Sequence, residues 1–143
     1  MTNSRKQLQA QFWSGLERVF HDRRLEWPSN IPDHCKDFRM GKGITLFLCF
    51  LPDTGLLKIG LAMDGDMAQQ NFDFLDRSRQ RIEAQLGMSL IWDPKPGQKR
   101  CSITFEHHAG NLEDRVRWPD HHGWMADLLP RFRSVFTPYI DRM

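Results

Sequence analysis

Three sets of side chains have types and spacings that bear on chemistry. Histidine is the first: His107-His108 and Asp120-His121-His122 flank a polar stretch, with Cys101 and Glu106 close in sequence. Imidazole, thiolate and carboxylate together suit a transition metal, which points to a metal-dependent hydrolase. Neither histidine pair has the i, i+4 spacing that turns two rings toward one ion, and adjacent strand residues point to opposite faces. A solvated turn and a helix start account for them, so no metal ligand or catalytic residue is assigned. Arginine is the second set, outnumbering lysine 14 to 6 in a chain of 143 residues. Guanidinium forks match phosphates and carboxylates. Arg77, Arg79 and Arg81 fall on one expected helix, Arg100 opens a strand, and Arg115 and Arg117 precede the last helix. A solvated, salt-bridged face is the plainer account of the helical trio, because Asp73, Asp76 and Glu83 lie at pairing distance in sequence, and a basic ridge that meets phosphates or an acidic partner is the functional one. The third is Trp27, which stands beside Pro28 in a long loop and is expected as an exposed anchor. The candidate contact surface is therefore Trp27, Arg77, Arg79, Arg81, Arg100, Arg115 and Arg117.

Several familiar chemistries fail on spacing. Gly41-Lys42-Gly43 lacks the spacer and the Ser/Thr of a phosphate loop and reads as a hairpin turn, and no GxGxxG follows a strand. Asp64-Gly65-Asp66 enters a helix rather than a calcium loop and is expected to cap that helix. Asp53 precedes the strand bearing Lys58, but no Glu-x-Lys exists to complete a nuclease magnesium site. No serine or cysteine sits in a nucleophile elbow. A non-enzyme without a cofactor is the expectation.

The elements that must position these side chains follow from periodicity. Leu8, Phe12, Leu16, Val19 and Phe20 recur at the helical period between about Ser4, a cap, and Arg24. Glu26 to Asp37, with Pro28 and Pro32, is a loop. Asp37 to Met40 starts a strand. Ile44 to Leu51 is apolar on both faces, as a central strand is. Pro52-Asp53-Thr54-Gly55 is a tight turn into the alternating strand Leu57 to Met63. One helix is expected from Met67 to Leu86, ended by Gly87. Leu90 to Trp92 and Arg100 to His107 are strands around the loop Asp93-Pro94-Lys95-Pro96-Gly97, with Arg100, Ser102 and Thr104 on the exposed face. Trp118-Pro119 opens a final helix, which Pro130 should kink or break and Pro138 should end. The fold class is α+β: an antiparallel sheet of four or five strands packed by three helices, in the order α-β-β-β-α-β-β-α, as one domain over residues 1–143.

Composition bounds the setting. Charged residues are 27% and the net charge is +2, so nothing demands a polyanion partner. The apolar run Ile44 to Leu51 falls short of the roughly 20 residues of a membrane span, and Met1 to Gln11 is too polar for a signal peptide. The expectation is a cytoplasmic protein. Cys35, Cys49 and Cys101 are odd in number and lack CxxC spacing. Cys49 and Cys101 read as small core residues, without a disulfide framework.

Phe12-Trp13 with Leu16, Phe38-Arg39, Lys58-Ile59-Gly60-Leu61, Phe72 with Leu75, Ile82-Glu83, and Leu86-Gly87 leading to Leu90 and Trp92 form an ordered series of landmarks. Trp118-Pro119, His122, Trp124, Leu128, Phe132 and Val135-Phe136 with Pro138 complete it. In this order the chain resembles an uncharacterised bacterial domain-of-unknown-function family, DUF4268. The resemblance implies a domain often found C-terminal to nuclease-like domains in restriction and anti-phage defence settings. It implies an accessory or binding module near nucleic acid, with no catalytic residues to assign. Standing without a nuclease portion, the module is expected to bind nucleic acid or a nuclease-type defence protein. The alternatives are a free-standing protein-interaction subunit or inhibitor and the metal-dependent hydrolase. Oligomeric state is not legible.

Overall fold

Alternation along the strands decides how the molecule is layered. A computed structural model describes residues 5–27, 35–51, 53–95 and 99–143. It contains helix α1 (Arg5–Asp22) and strands β1 (Cys35–Gly41), β2 (Ile44–Leu51) and β3 (Leu56–Asp64). Helices α2 (Ala68–Asp76) and α3 (Arg79–Leu86) follow, then strands β4 (Ile91–Asp93) and β5 (Arg100–His108). A short turn of 3-10 helix, Arg115–Arg117, leads into α4 (Trp118–Asp141). The five strands form one antiparallel sheet in the order β1-β2-β3-β5-β4. This is the expected α+β architecture. The Ser4 cap, Pro28 and Pro32 of the long loop, Pro52, and Pro96 and Gly97 lie outside the described residues.

Register pairs Leu46 with Leu61, Leu48 with Ile59, and Leu61 with Ile103, so these side chains share one face. All of them are withdrawn from water. Among the described residues every ring contact between a helix and a strand lands on that face: Phe12 on Phe50, Phe20 on Phe38, Phe72 on Trp92, Trp124 on Phe105 and His107, and His121 on Phe50 and His107. At roughly 1.5–3 kcal/mol for each large side chain buried, this layer is the main source of stability. Lys36 also points inward from the edge strand β1, its ammonium 5.0 Å above the Trp13 ring. An inward charge on an edge strand discourages pairing with a second chain.

The opposite face carries Thr45, Phe47, Lys58, Ser102 and Glu106, all partly exposed, with Lys58 and Glu106 3.4 Å apart. Thr104, expected on an exposed face, is buried in the row Phe47, Gly60, Thr104, Ile91. Gly60 is required there. A Cβ would stand 2.3 Å from the carbonyl oxygen of Ile103 and 2.8 Å from the Thr104 Cα.

Four expectations about elements need correction. The helix Met67 to Leu86 is two helices. In one continuous helix Ser78 and Arg79 would fall on the same stripe as Leu75 and Ile82, placing polar groups in the core. The chain instead tightens after Asp76, with Ser78 N–H donating to Leu75 O at 3.0 Å, and restarts at Arg79. Neither Asp64 nor Asp66 caps α2. Met67 occupies the cap position without a side-chain bond, while Asp64 pairs with Arg100 and Asp66 with Lys99, each at 3.6 Å. Pro130 does not break α4 and Pro138 does not end it. A proline inside a helix costs about 3 kcal/mol. Phe132, Phe136, Tyr139 and Ile140 are buried on this stretch, and at the values above they outweigh that cost. Finally, Cys49 is not a free core thiol. It faces Cys35 directly across β1 and β2 and forms a disulfide with it, the Cα atoms 4.1 Å apart. Only the register brings together two cysteines 14 residues apart. Cys101 is free and buried as expected.

The Gly41-Lys42-Gly43 segment is the β1–β2 hairpin turn, and all three residues have positive φ. Lys42 Nζ donates to Ile140 O and Met143 O, each at 2.8 Å, which neutralises the negative end of α4. Gly87 ends α3 in the left-handed conformation, as predicted.

Gly60→Ala is expected to lower the unfolding free energy by about 3 kcal/mol, at the upper end of overpacking costs, because the contact is with backbone. Urea denaturation at neutral pH measures it, and an unchanged midpoint would show that β3 and β5 can separate locally.

Candidate functional site

The arginines of the expected contact surface do not form one patch. Arg77, Arg79 and Arg81 surround the break between α2 and α3, where residues 76–81 line a cavity of about 510 Å³. Arg79 is held in place. Its guanidinium lies 2.6 Å from the Asp76 carboxylate and 4.9 Å from the centre of the Trp92 ring. Arg77 and Arg81 are exposed and, among the described residues, have no ion-pair partner. The kink that protects the core from Ser78 and Arg79 therefore also fans three guanidinium groups around one turn. Arg81 continues into a second cavity of about 370 Å³ between α3 and α4, which Arg142 also lines.

The remaining arginines lie elsewhere. Arg100 sits opposite Asp64 at the start of β5. Arg115 donates to Gln11 of α1 and covers the Trp118 ring at 5.3 Å, and Arg117 pairs with Asp114 at 3.3 Å. These two precede α4, whereas Arg142 follows it. A helix of 24 residues spans about 36 Å at 1.5 Å per residue, so the two ends of α4 cannot serve one small ligand. Arg115 and Arg117 are thereby engaged locally. Trp27 is not the exposed anchor expected of it. It is partly buried against the core, its ring edge-on to Phe20 at 5.2 Å. The sequence places Trp27 beside a proline-rich loop but cannot show that α1 ends close enough to take the indole.

The histidines likewise depart from expectation. His121 and His122 are not solvated but 5% and 6% exposed. They sit in the first turns of α4, beneath the end of β5. His121 Nε2 donates to the Ala109 carbonyl at 3.1 Å. His107 stacks on Trp124 at 4.9 Å, with its ring centre 6.5 Å from that of His121. His122 packs against Phe12 at 4.6 Å and under Gly15 of α1, where a Cβ would come within 2.7 Å of the imidazole Cε1. Among the described residues its Nε2 is buried without a hydrogen-bond partner, and no three His, Cys, Asp or Glu side chains gather into a metal-binding group. Burial lowers the pKa of both rings. For His122 desolvation dominates, with a backbone bond to Phe12 opposing it, and the value falls from 6.5 to about 4. For His121 desolvation again leads, opposed by the Ala109 bond and reinforced by His107 and Arg117. The helix start was legible in Trp118-Pro119. The burial was not, because for His122 it depends on Gly15 bringing α1 against α4, and for His121 on the end of β5 and on Phe50 of β2.

The neutral histidines give a pH dependence with a definite sign. Well above pH 6.5 both the folded and the unfolded His122 are neutral, so it has no effect. As pH falls from 6.5 toward about 4 the unfolded ring binds a proton that the folded ring refuses, and stability is lost. The loss from His122 alone is about 3 kcal/mol by pH 4. Denaturant titrations across this range should show the decline, and His122→Leu should flatten it. An equally steep decline in the variant would assign the effect to other groups.

A family model described as Domain of unknown function (DUF4268) matches residues 8–140. No curated protein and no solved structure matches the chain. The matched span runs from the first buried leucine of α1 to the last buried residue of α4, Ile140, and takes in every strand between them. The chain belongs to the DUF4268 family.

Proposed function

We propose that the protein is a non-catalytic binding module of a nucleic-acid-processing or anti-phage defence system, and that it meets phosphates through the α2–α3 turn. The observation that carries this reading is the pair of exposed guanidinium groups, Arg77 and Arg81, which line one cavity with the fixed Arg79 between them in the chain, Arg81 also lining the second cavity. Backbone phosphates supply most of the affinity of such modules and take arginine as their preferred contact. The defence setting rests on the family resemblance. The histidines most suited to catalysis are used in packing, which supports a binding role. A free-standing interaction subunit or inhibitor has less behind it. The most exposed large apolar side chains among the described residues, Met67, Ile91 and Val116, lie on separate elements, and scattered apolar residues are ordinary.

Fluorescence anisotropy with labelled DNA and RNA at several salt concentrations tests the reading. Affinity should fall steeply with salt. Arg77→Ala combined with Arg81→Ala should weaken binding about tenfold and reduce the salt slope by about two. Absence of salt-dependent binding even at low ionic strength would reject it.

Among the described residues no helix is long and apolar enough to cross a membrane. We place the protein in the cytoplasm, where thiol reductants keep most disulfides open. The Cys35–Cys49 bond of the structure is then the oxidised form of a pair held reduced in the cell, and rapid alkylation of freshly lysed cells should label Cys35, Cys49 and Cys101 alike once the chain is denatured. Protection of Cys35 and Cys49 until a reductant is added would point to an oxidising compartment and against this placement.

A further inference from the structure

The groove between α3 and α4 differs from the α2–α3 turn in the chemistry of its walls. Arg81 and Gln85 enter it from α3, Ser134 and Tyr139 from the second half of α4, and Arg142 from the residue just after α4. Each of these side chains can donate a hydrogen bond, two are permanently cationic, and no carboxylate lines the cavity. At the α2–α3 turn, by contrast, Asp76 lines the cavity and occupies Arg79. Val135 and Pro138 supply an apolar wall, and the volume of about 370 Å³ falls in the range of small-ligand sites.

Two contacts prepare the groove for an anion. The carbonyl end of α4 would oppose negative charge, but the Lys42 ammonium already binds Ile140 O and Met143 O there. Arg142 is thus not needed to neutralise the helix end. Its guanidinium lies 6.0 Å from the centre of the Tyr139 ring, and the Tyr139 hydroxyl donates to Gln85 Oε1 at 3.3 Å, tying α4 to α3 across the floor. We infer that the α3–α4 groove binds a phosphomonoester, held between Arg81 and Arg142, with Ser134 and Gln85 as further donors. A phosphomonoester offers a dianion and several acceptor oxygens, which suits two guanidinium forks better than the single charge of a phosphodiester. Its source is either the phosphorylated end of a nucleic acid or a free nucleotide. The first source rests on the nucleic-acid reading above, whereas the anion site does not.

One oligonucleotide, prepared with a 5′-phosphate and with a 5′-hydroxyl, is compared by anisotropy at low salt, alongside calorimetric titration with inorganic phosphate and adenosine 5′-monophosphate. The expected result is a tenfold preference for phosphorylated over unphosphorylated probes, abolished by Arg81→Ala and by Arg142→Ala and retained by Arg77→Ala. Both substituted groove arginines are exposed, and circular dichroism checks that the variants fold. A preference for the phosphorylated oligonucleotide assigns the end of a strand. Tight adenosine 5′-monophosphate binding without that preference assigns a free nucleotide. No discrimination by any probe, or discrimination that survives both groove substitutions, overturns the inference. If salt-dependent oligonucleotide binding persists in that case, the groove alone is rejected. If it is lost as well, the nucleic-acid reading falls with it.

Discussion

Leu46, Leu48, Ile59, Leu61 and Ile103 lie on the same side of the sheet, and each is removed from water by a helix laid across it. Burying that face is the constraint from which the other arrangements follow. Because these fully buried side chains of β2, β3 and β5 pair in register on one face, the helices cover that face. α1, α2 and α4 each anchor to the sheet through an aromatic ring. The opposite side, with Thr45, Lys58, Ser102 and Glu106, can remain in contact with solvent. Antiparallel sheets tolerate this asymmetry because their hairpin connections do not force helices onto both faces.

The same constraint shapes the polar groups. Keeping Ser78 and Arg79 out of the core requires a break between α2 and α3, and the break exposes Arg77 and Arg81 around Arg79. Packing α1 against α4 places Gly15 on His122 and buries an imidazole that must then stay neutral. Continuing α4 past Pro130 and Pro138 carries Ser134, Tyr139 and Arg142 alongside α3 and forms the groove shared with Arg81. The cationic turn, the neutral histidines and the groove are therefore consequences of satisfying one core rather than independent devices.

Much of the fold was legible because its signals are local. Strand β2 follows from the apolar run Ile44 to Leu51, β3 from alternation between Leu57 and Met63, the hairpin from Gly41-Lys42-Gly43, and the end of α3 from Gly87. The start of α4 follows from Trp118-Pro119. Errors arose where a local preference competed with a distant contact. Proline disfavours the helix interior, but Phe132, Phe136 and Tyr139 reward its continuation. Histidines beside aspartate suggest solvent, but α1 covers His122, and Phe50, His107 and Ala109 enclose His121. Trp27 follows a polar segment, but Phe20 receives it.

Residue types and their periodicity were enough to establish the α+β class, the antiparallel sheet and the arginine-rich character, since each depends on hydrophobic alternation, turn chemistry or composition. Tertiary structure alone decided which arginines converge, that Cys35 meets Cys49, and that His121 and His122 are dry. These outcomes depend on strand register and on the approach of helices far apart in the chain. Neither is encoded at any single position, because the free energy of a long-range contact belongs to both partners and to the packing that brings them together.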